Sequence, residues 1–145
     1  MGHKLLVVCV GNICRSPMGE AVFARALGEA WTVESAGLGA LVGHGAAPEA
    51  LVSLAARGYV LEGHVARQID EPLLRGCDLV LVMETRHKES LEARYPWMCG
   101  RIFRLGHWEK FDIEDPYRRP QEMFDRSLSL IEAACASWVP RLQAM

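Results

Sequence analysis

The sequence has no excess of charge of either sign. Sixteen Lys and Arg stand against eighteen Asp and Glu, a formal net charge of −2 over 145 residues. A protein that coats nucleic acid or an anionic membrane carries a basic surplus, so no nucleic acid partner is expected. Long apolar runs are also missing. The first, Leu5 to Val10, is too short for a signal core or a bilayer span, so no membrane insertion is expected. No Cys-x2-Cys or paired Cys/His spacing occurs, which argues against zinc, and neither a metal nor a cofactor is expected. No lysine lies between Lys4 and Lys88, so the Gly-x4-Gly-Lys-Ser/Thr loop of an NTPase cannot follow the first strand. Repeats, linkers and low-complexity stretches are absent, and residues 1–145 read as a single domain. A monomer is the expected state.

What is present is an ordinary globular mixture, 50% hydrophobic and 23% charged, with enough apolar content to offset the entropy of ordering. The five cysteines are Cys9, Cys14, Cys77, Cys99 and Cys135. An odd count without a signal peptide points to reduced thiols and a cytoplasmic location.

Leu5 to Val10 shows no alternation, the pattern of a strand buried on both faces of a parallel sheet. Ser16-Pro17 reads as an N-cap followed by proline in the first turn, and Met18, Val22, Ala26 and Leu27 predict a helix over 17–29. Trp31 to Ser35 predicts a second strand, and 36–47 a Gly- and Ala-rich loop. Pro48 opens a helix with Leu51, Leu54 and Ala55 on its inner face and Gly58 as its stop. A short helix follows Asp70. Asp78 to Met83 reads as a buried strand, Thr85 as the cap of a helix to Arg94, and Arg101 to Leu105 as the fourth strand. A loop over 106–119 leads to a last helix. Its stripe is Phe124, Leu128, Ile131, Cys135, Trp138 and Leu142. The alternation predicts an α/β fold in three layers: a four-stranded parallel sheet, helices on both faces, and a phosphate-binding loop after strand 1. Ligands in such sheets bind beyond the C-terminal strand ends.

That is where Cys9-Val10-Gly11-Asn12-Ile13-Cys14-Arg15-Ser16 falls. A loop running from a strand into a helix can turn successive N–H groups inward as an anion nest, reinforced by the helix N-terminus. Gly11 and Asn12 tolerate the left-handed backbone that such a curl needs. Arg15 supplies a planar fork matching two phosphate oxygens. A thiol in this setting is held as a nucleophilic thiolate, and Ser16 can donate its hydroxyl to the sulfur. A nucleophile inside a phosphate cradle implies covalent phosphoryl transfer through phosphocysteine, with arginine and N–H groups carrying the equatorial charge. A general acid must protonate the leaving oxygen. Asp112, Glu114 and Asp115 are the candidates at that edge. Asp115 stands apart because Pro116 fixes an extended approach and Tyr117 offers an aromatic wall.

Val8-Cys9-x5-Arg15-Ser16-Pro17 together with Asp115-Pro116-Tyr117 resembles the low-molecular-weight protein tyrosine phosphatases. Ser35-Ala-Gly37 and His64-Val-Ala-Arg67-Gln-Ile69 extend the resemblance over nearly the whole chain. It implies Cys9 as nucleophile, Arg15 as phosphate binder, and Asp115 as acid and then base. It implies that Asn12, helped by His64 and Ser35, holds the loop in shape, and that Cys14 captures oxidised Cys9 as a disulfide. Gly37-Leu-Gly-Ala-Leu41-Val-Gly43, Gly63-His-Val-Ala-Arg-Gln68 and Leu105-Gly-His-Trp108 resemble the bacterial subgroup linked to capsule and exopolysaccharide export. That likeness implies a phosphotyrosine protein as partner, a bacterial tyrosine autokinase. Leu41 stands where an aromatic usually lines the pocket, and Arg118 where a second tyrosine is common. A leucine stacks less well on an aryl ring, and Arg118 can attract an acidic peptide.

Cys77, Cys99 and Cys135 are expected to serve packing. An arsenate reductase would need a further cysteine relay, for which Cys77 and Cys99 are poorly spaced. A sugar-transport phosphocarrier would have no use for Arg15 or a general acid. His44, near the expected pocket, reads as a solvated loop histidine.

Overall fold

The computed structural model describes residues 2–145. Its four strands are β1 (His3–Cys9), β2 (Trp31–Gly37), β3 (Leu79–Val82) and β4 (Ile102–Arg104). They form one sheet in the order β2-β1-β3-β4, and every pairing is parallel. The helices are α1 (Arg15–Leu27), α2 (Pro48–Ala56), α3 (Glu71–Arg75), α4 (Thr85–Arg94) and α5 (Gln121–Gln143).

Two apolar layers enclose the sheet, as the unalternating strands predict. Leu5 and Val7 of β1 and Leu79 and Leu81 of β3 pack with α1, α2 and α5. Leu6, Val8, Val80 and Val82 point the other way, toward Leu74 of α3 and Leu91 of α4. The α5 stripe is buried throughout. Each large member contributes about 1.5–3 kcal/mol by leaving water. The Trp138 indole N–H, which would be costly to bury alone, donates to the Leu105 carbonyl at 2.7 Å.

Several local expectations change. Helix α1 begins at Arg15, not Pro17; its N-cap position is Cys14, and Ser16 lies in the first turn with its hydroxyl turned to the loop. Phe23 joins the buried face of α1 while Ala26 is exposed. On α2 the inner face is Ala50, Ser53 and Leu54; Leu51 and Ala55 face solvent. The reason is polar: Ser53 donates to Asp125 of α5 at 2.6 Å and accepts from Gln121 at 2.7 Å, which sets the rotation of the helix. Thr85 is the first helical residue and Glu84 the cap position; the Thr85 N–H donates to Asp112 at 3.0 Å. The short helix after Asp70 is α3, and the Asp70 side chain caps it by accepting from the Leu73 N–H at 2.9 Å. Cys77 and Cys135 are buried as expected, but Cys99 is exposed and packs no core. Strand β1 lies between β2 and β3, so the chain leaves it to opposite sides of the sheet. This topological switch opens a crevice at the C-terminal end of β1.

Candidate active site

The loop between β1 and α1 is anchored by its carbonyls. Those of Cys9, Val10, Gly11 and Ile13 accept from the N–H groups of Leu38, Gly39, Leu41 and Ala47, at 2.8–3.0 Å. The Asn12 carbonyl meets His64 Nε2 at 2.7 Å, and the Cys14 carbonyl accepts from Met18 as the first bond of α1. With every carbonyl from Cys9 to Cys14 engaged, the peptide planes are fixed. Among the described residues, the N–H groups of residues 11–14 have no hydrogen-bond acceptor. Helix α1 has no side-chain cap and no acidic residue in its first turn. An anion therefore meets free donors and the positive end of a helix together.

The curl depends on Asn12, fully buried at φ 59°. Gly11 does not take the left-handed conformation; Asn12 alone does so in this loop. Its side chain meets three groups. Nδ2 donates to Ser16 Oγ at 2.8 Å and to Ser35 Oγ at 3.1 Å, and Oδ1 accepts from the Arg67 N–H at 2.9 Å. Ser35 Oγ lies 2.7 Å from Glu20. A carboxylate only accepts, so Ser35 donates to Glu20 while Asn12 donates to Ser35 and Ser16. The Ser16 hydroxyl proton is left with two acceptors in reach, Cys9 Sγ at 3.0 Å and the Ala36 carbonyl at 3.4 Å. Gly37 is required behind the loop, because a Cβ there would lie 2.4 Å from the Val10 carbonyl oxygen.

Arg15 is 1% exposed. Its Nη1 donates to Glu84 Oε2 at 2.6 Å and to the Ile113 carbonyl at 2.7 Å. Those bonds use one edge of the guanidinium. The other edge differs: Nε has no partner, and Nη2 lies 3.7 Å from Asp115 Oδ2. That edge is the two-donor fork that matches an oxyanion. Burial alone would raise the Glu84 pKa, but hydrogen bonds from Arg15 and Arg86 prevail and hold it below the usual carboxylate value.

A cavity of about 360 Å³ opens over the loop, lined by Cys9, Val10, Gly11, Ile13, Cys14 and Arg15 with Leu41, Asp115, Tyr117 and Arg118. Leu41 and Tyr117 are 37% and 41% exposed and form an apolar and an aromatic wall. Of the three carboxylates considered, only Asp115 lines this cavity. Glu114 and Asp112 line a separate one. Asp112 is also occupied: burial opposes its ionisation, yet hydrogen bonds from Arg104 and Thr85 hold its pKa below the ordinary value. Asp115 is 44% exposed, and its Oδ1 accepts from the Tyr117 N–H at 3.1 Å.

Cys14 is buried beside Cys9. Burial first, then the nearby Cys9 and Asp115, push its pKa up to about 12. Asn12, Ser16, Ser35 and His64 lie behind the loop and not in the cavity wall, and His44 is exposed and outside it. Among the described residues no cluster of His, Cys, Asp and Glu can hold a metal. Glu84 escaped the sequence reading. It lies 69 residues from Arg15, and a single glutamate before a helix carries no local signal.

The family model described as low molecular weight phosphotyrosine protein phosphatase matches residues 4–145. Wzb, a low molecular weight protein-tyrosine-phosphatase of Escherichia coli K12, is 48% identical over 145 residues, covering 99% of this chain and 98% of Wzb. The probable low molecular weight protein-tyrosine-phosphatase EpsP of Ralstonia solanacearum is 44% identical over 145 residues, covering 100% and 99%. The crystal structure of the tyrosine phosphatase Wzb from Escherichia coli K30 with sulphate superposes with a TM-score of 0.92 at 40% identity, covering 98% of this chain and 99% of that one. A thiol and an arginine sharing an uncapped helix N-terminus, on this sheet, thus belong to a known lineage: the chain is a member of the low molecular weight protein-tyrosine-phosphatase family.

Proposed function

We propose that the chain hydrolyses phosphotyrosine through a phosphocysteine intermediate. The observation that carries this reading is Cys9 Sγ at 3.0 Å from the Ser16 hydroxyl, at the start of a loop whose N–H groups are unpaired. The phosphoryl oxygens take those N–H groups and the Nε–Nη2 edge of Arg15. Cys9 attacks phosphorus as the thiolate while the P–O bond to the phenol breaks. Asp115 gives its proton to the leaving phenolic oxygen. The resulting carboxylate then takes a proton from water, which attacks the phosphocysteine. The P–S bond breaks, phosphate leaves, and the Ser16 hydroxyl steadies the returning thiolate. Arg15 and the N–H groups carry the charge throughout, so no cofactor has a part in the scheme.

The walls favour an aryl phosphate. Leu41 and Tyr117 flank the cavity, and a phosphoserine would leave both uncovered. The natural substrate we infer is a phosphorylated tyrosine autokinase controlling exopolysaccharide or capsule production. The likeness to the proteins named EpsP and Wzb supports it. The thiolate requires a reducing compartment, which supports a cytoplasmic site; no helix among the described residues is long and apolar enough to cross a membrane. On exposure to peroxide, Cys9 becomes a sulfenic acid, and the Cys14 thiol displaces water from it to form a disulfide.

The test is hydrolysis of p-nitrophenyl phosphate in EDTA, followed by release of phosphate from phosphotyrosine and phosphoserine peptides. Activity confined to the aryl esters is expected, with 32P trapped on Cys9 after acid quench. Label on any other residue overturns the mechanism.

A further inference from the structure

His87 lies in the first turn of α4, 4% exposed, and neither ring nitrogen has a hydrogen-bond partner. A leucine would fill that place without burying unpaired nitrogens. What the imidazole adds is a contact with Glu84. Its Nε2 lies 3.5 Å from Glu84 Oε2, the oxygen that accepts from Arg15 Nη1 at 2.6 Å. The other oxygen, Oε1, accepts from Arg86 Nε at 2.9 Å. Arg86 is 75% exposed, so its hold is screened by water. Arg15 aside, His87 is thus the one buried polar side chain in contact with the Glu84 carboxylate among the described residues. The charged groups around the ring are Glu84, Arg15, Arg86 and Asp112. Burial, with Arg15 and Arg86, lowers the His87 pKa against the pull of Glu84, which keeps the ring neutral near pH 7. A neutral ring has one N–H; carried on Nε2, it faces Glu84 Oε2 at 3.5 Å as an electrostatic contact longer than a hydrogen bond.

We propose that His87 is a positioning residue: its Nε2–H steadies the Glu84 carboxylate, which fixes the Arg15 guanidinium with its Nε–Nη2 edge toward the phosphate loop. Arg15 has two anchors, Glu84 and the Ile113 carbonyl. If the first drifts, the guanidinium pivots on the second and the fork loses its aim. The inference rests on the reading of Arg15 as phosphate binder.

The experiment measures competitive inhibition by inorganic phosphate, kcat/KM and thermal melting. For His87→Leu we expect cooperative melting, phosphate inhibition weaker by about fivefold and kcat/KM reduced in proportion. His87→Gln, which retains an N–H donor, restores phosphate inhibition to within about twofold. In a Glu84→Gln background His87→Leu adds no further loss, since the residue acts through that carboxylate. Wild-type phosphate inhibition in His87→Leu overturns the proposal. So do equal losses in the Leu and Gln variants, or losses that add to those of Glu84→Gln. Should His87→Leu fail to fold, the Gln variant in the two backgrounds decides: it must match its parent in each. Arg15→Ala separates the readings. If it still binds phosphate, the proposed function fails; if it alone weakens binding, only the role of His87 fails.

Discussion

The loop from Cys9 to Ser16 and the loop from Gly106 to Arg119 meet at the same edge of the sheet, yet they are held differently. In the first, each carbonyl from Cys9 to Cys14 is bonded, and a buried Asn12 fastens it to Ser16, Ser35 and Arg67. The second is fastened as far as Ile113, which is fully buried and whose N–H donates to the Met83 carbonyl. Beyond it, Asp115 is half-exposed, with a local bond from Tyr117 and Arg15 at 3.7 Å. The difference suits the two tasks proposed for these loops. An oxyanion is stabilised by donors already in place, which cost no reorganisation as charge develops. A proton donor must reach leaving groups of different shape, and a sparsely tied carboxyl can adjust. On the proposed reading, the firmly bonded loop holds the phosphate that all substrates share, and the sparsely bonded carboxyl faces the part in which they differ.

Cys9→Ser gives the sharpest contrast. It should lower turnover by more than roughly a thousandfold while phosphate still binds, because the cradle does not depend on the sulfur. Substantial turnover in that variant would break the assignment of nucleophile to the rigid loop. Asp115→Asn should cost about a hundredfold with phenyl phosphate and far less with p-nitrophenyl phosphate, whose leaving group needs little protonation. Equal losses with both esters would remove the role of acid from Asp115.

The third prediction uses the thiols of the cradle. Cys14 is held protonated by burial, with its pKa near 12. The attacking species is the thiolate, whose fraction grows about tenfold per pH unit below that value. After a peroxide pulse, closure of the Cys9–Cys14 disulfide should therefore accelerate steeply from pH 6 to pH 9, read by mass spectrometry after alkylation. A pH-independent rate would mean that another group resolves the sulfenic acid.

The fourth compares stability directly. Asn12→Ala removes three side-chain hydrogen bonds and puts alanine at φ 59°, so unfolding should be easier by about 2 kcal/mol. Asp115→Asn should shift stability by less than about 0.5 kcal/mol. Similar urea midpoints for both would erase the distinction between the loops. The smallest effect belongs to the walls. Leu41→Phe should lower KM for aryl phosphates about threefold by ring stacking and leave phosphate inhibition unchanged. A change in phosphate inhibition would show that the wall and the cradle are coupled.

What could be read from the chain was local or periodic. The run Leu5–Val10, the strand-to-helix loop and the α5 stripe each carry their own pattern. Asp115 could be preferred because a proline follows it. Other features depend on partners far along the chain. The inner face of α2 follows from Ser53 meeting Asp125, 72 residues on. Cys99 and Cys77 look alike in sequence, and only their surroundings make one exposed and the other buried. Gly11 and Asn12 were equal candidates for the left-handed turn. The side-chain bonds to Ser16, Ser35 and Arg67 give that conformation to Asn12, since glycine offers no such ties.

The sheet, the nucleophile candidate and the arginine are legible in the chain, because strand, loop and helix follow one another within a few residues of Cys9. The lack of a charge surplus, of zinc spacing and of an NTPase loop narrows the chemistry without reference to the fold. Which edge of Arg15 is free depends on folding. Its anchors, Glu84 and Ile113, come from segments 69 and 98 residues away. An arginine has one planar guanidinium and no intrinsic direction. Direction comes from the acceptors that occupy one edge, and those are brought to it by folding.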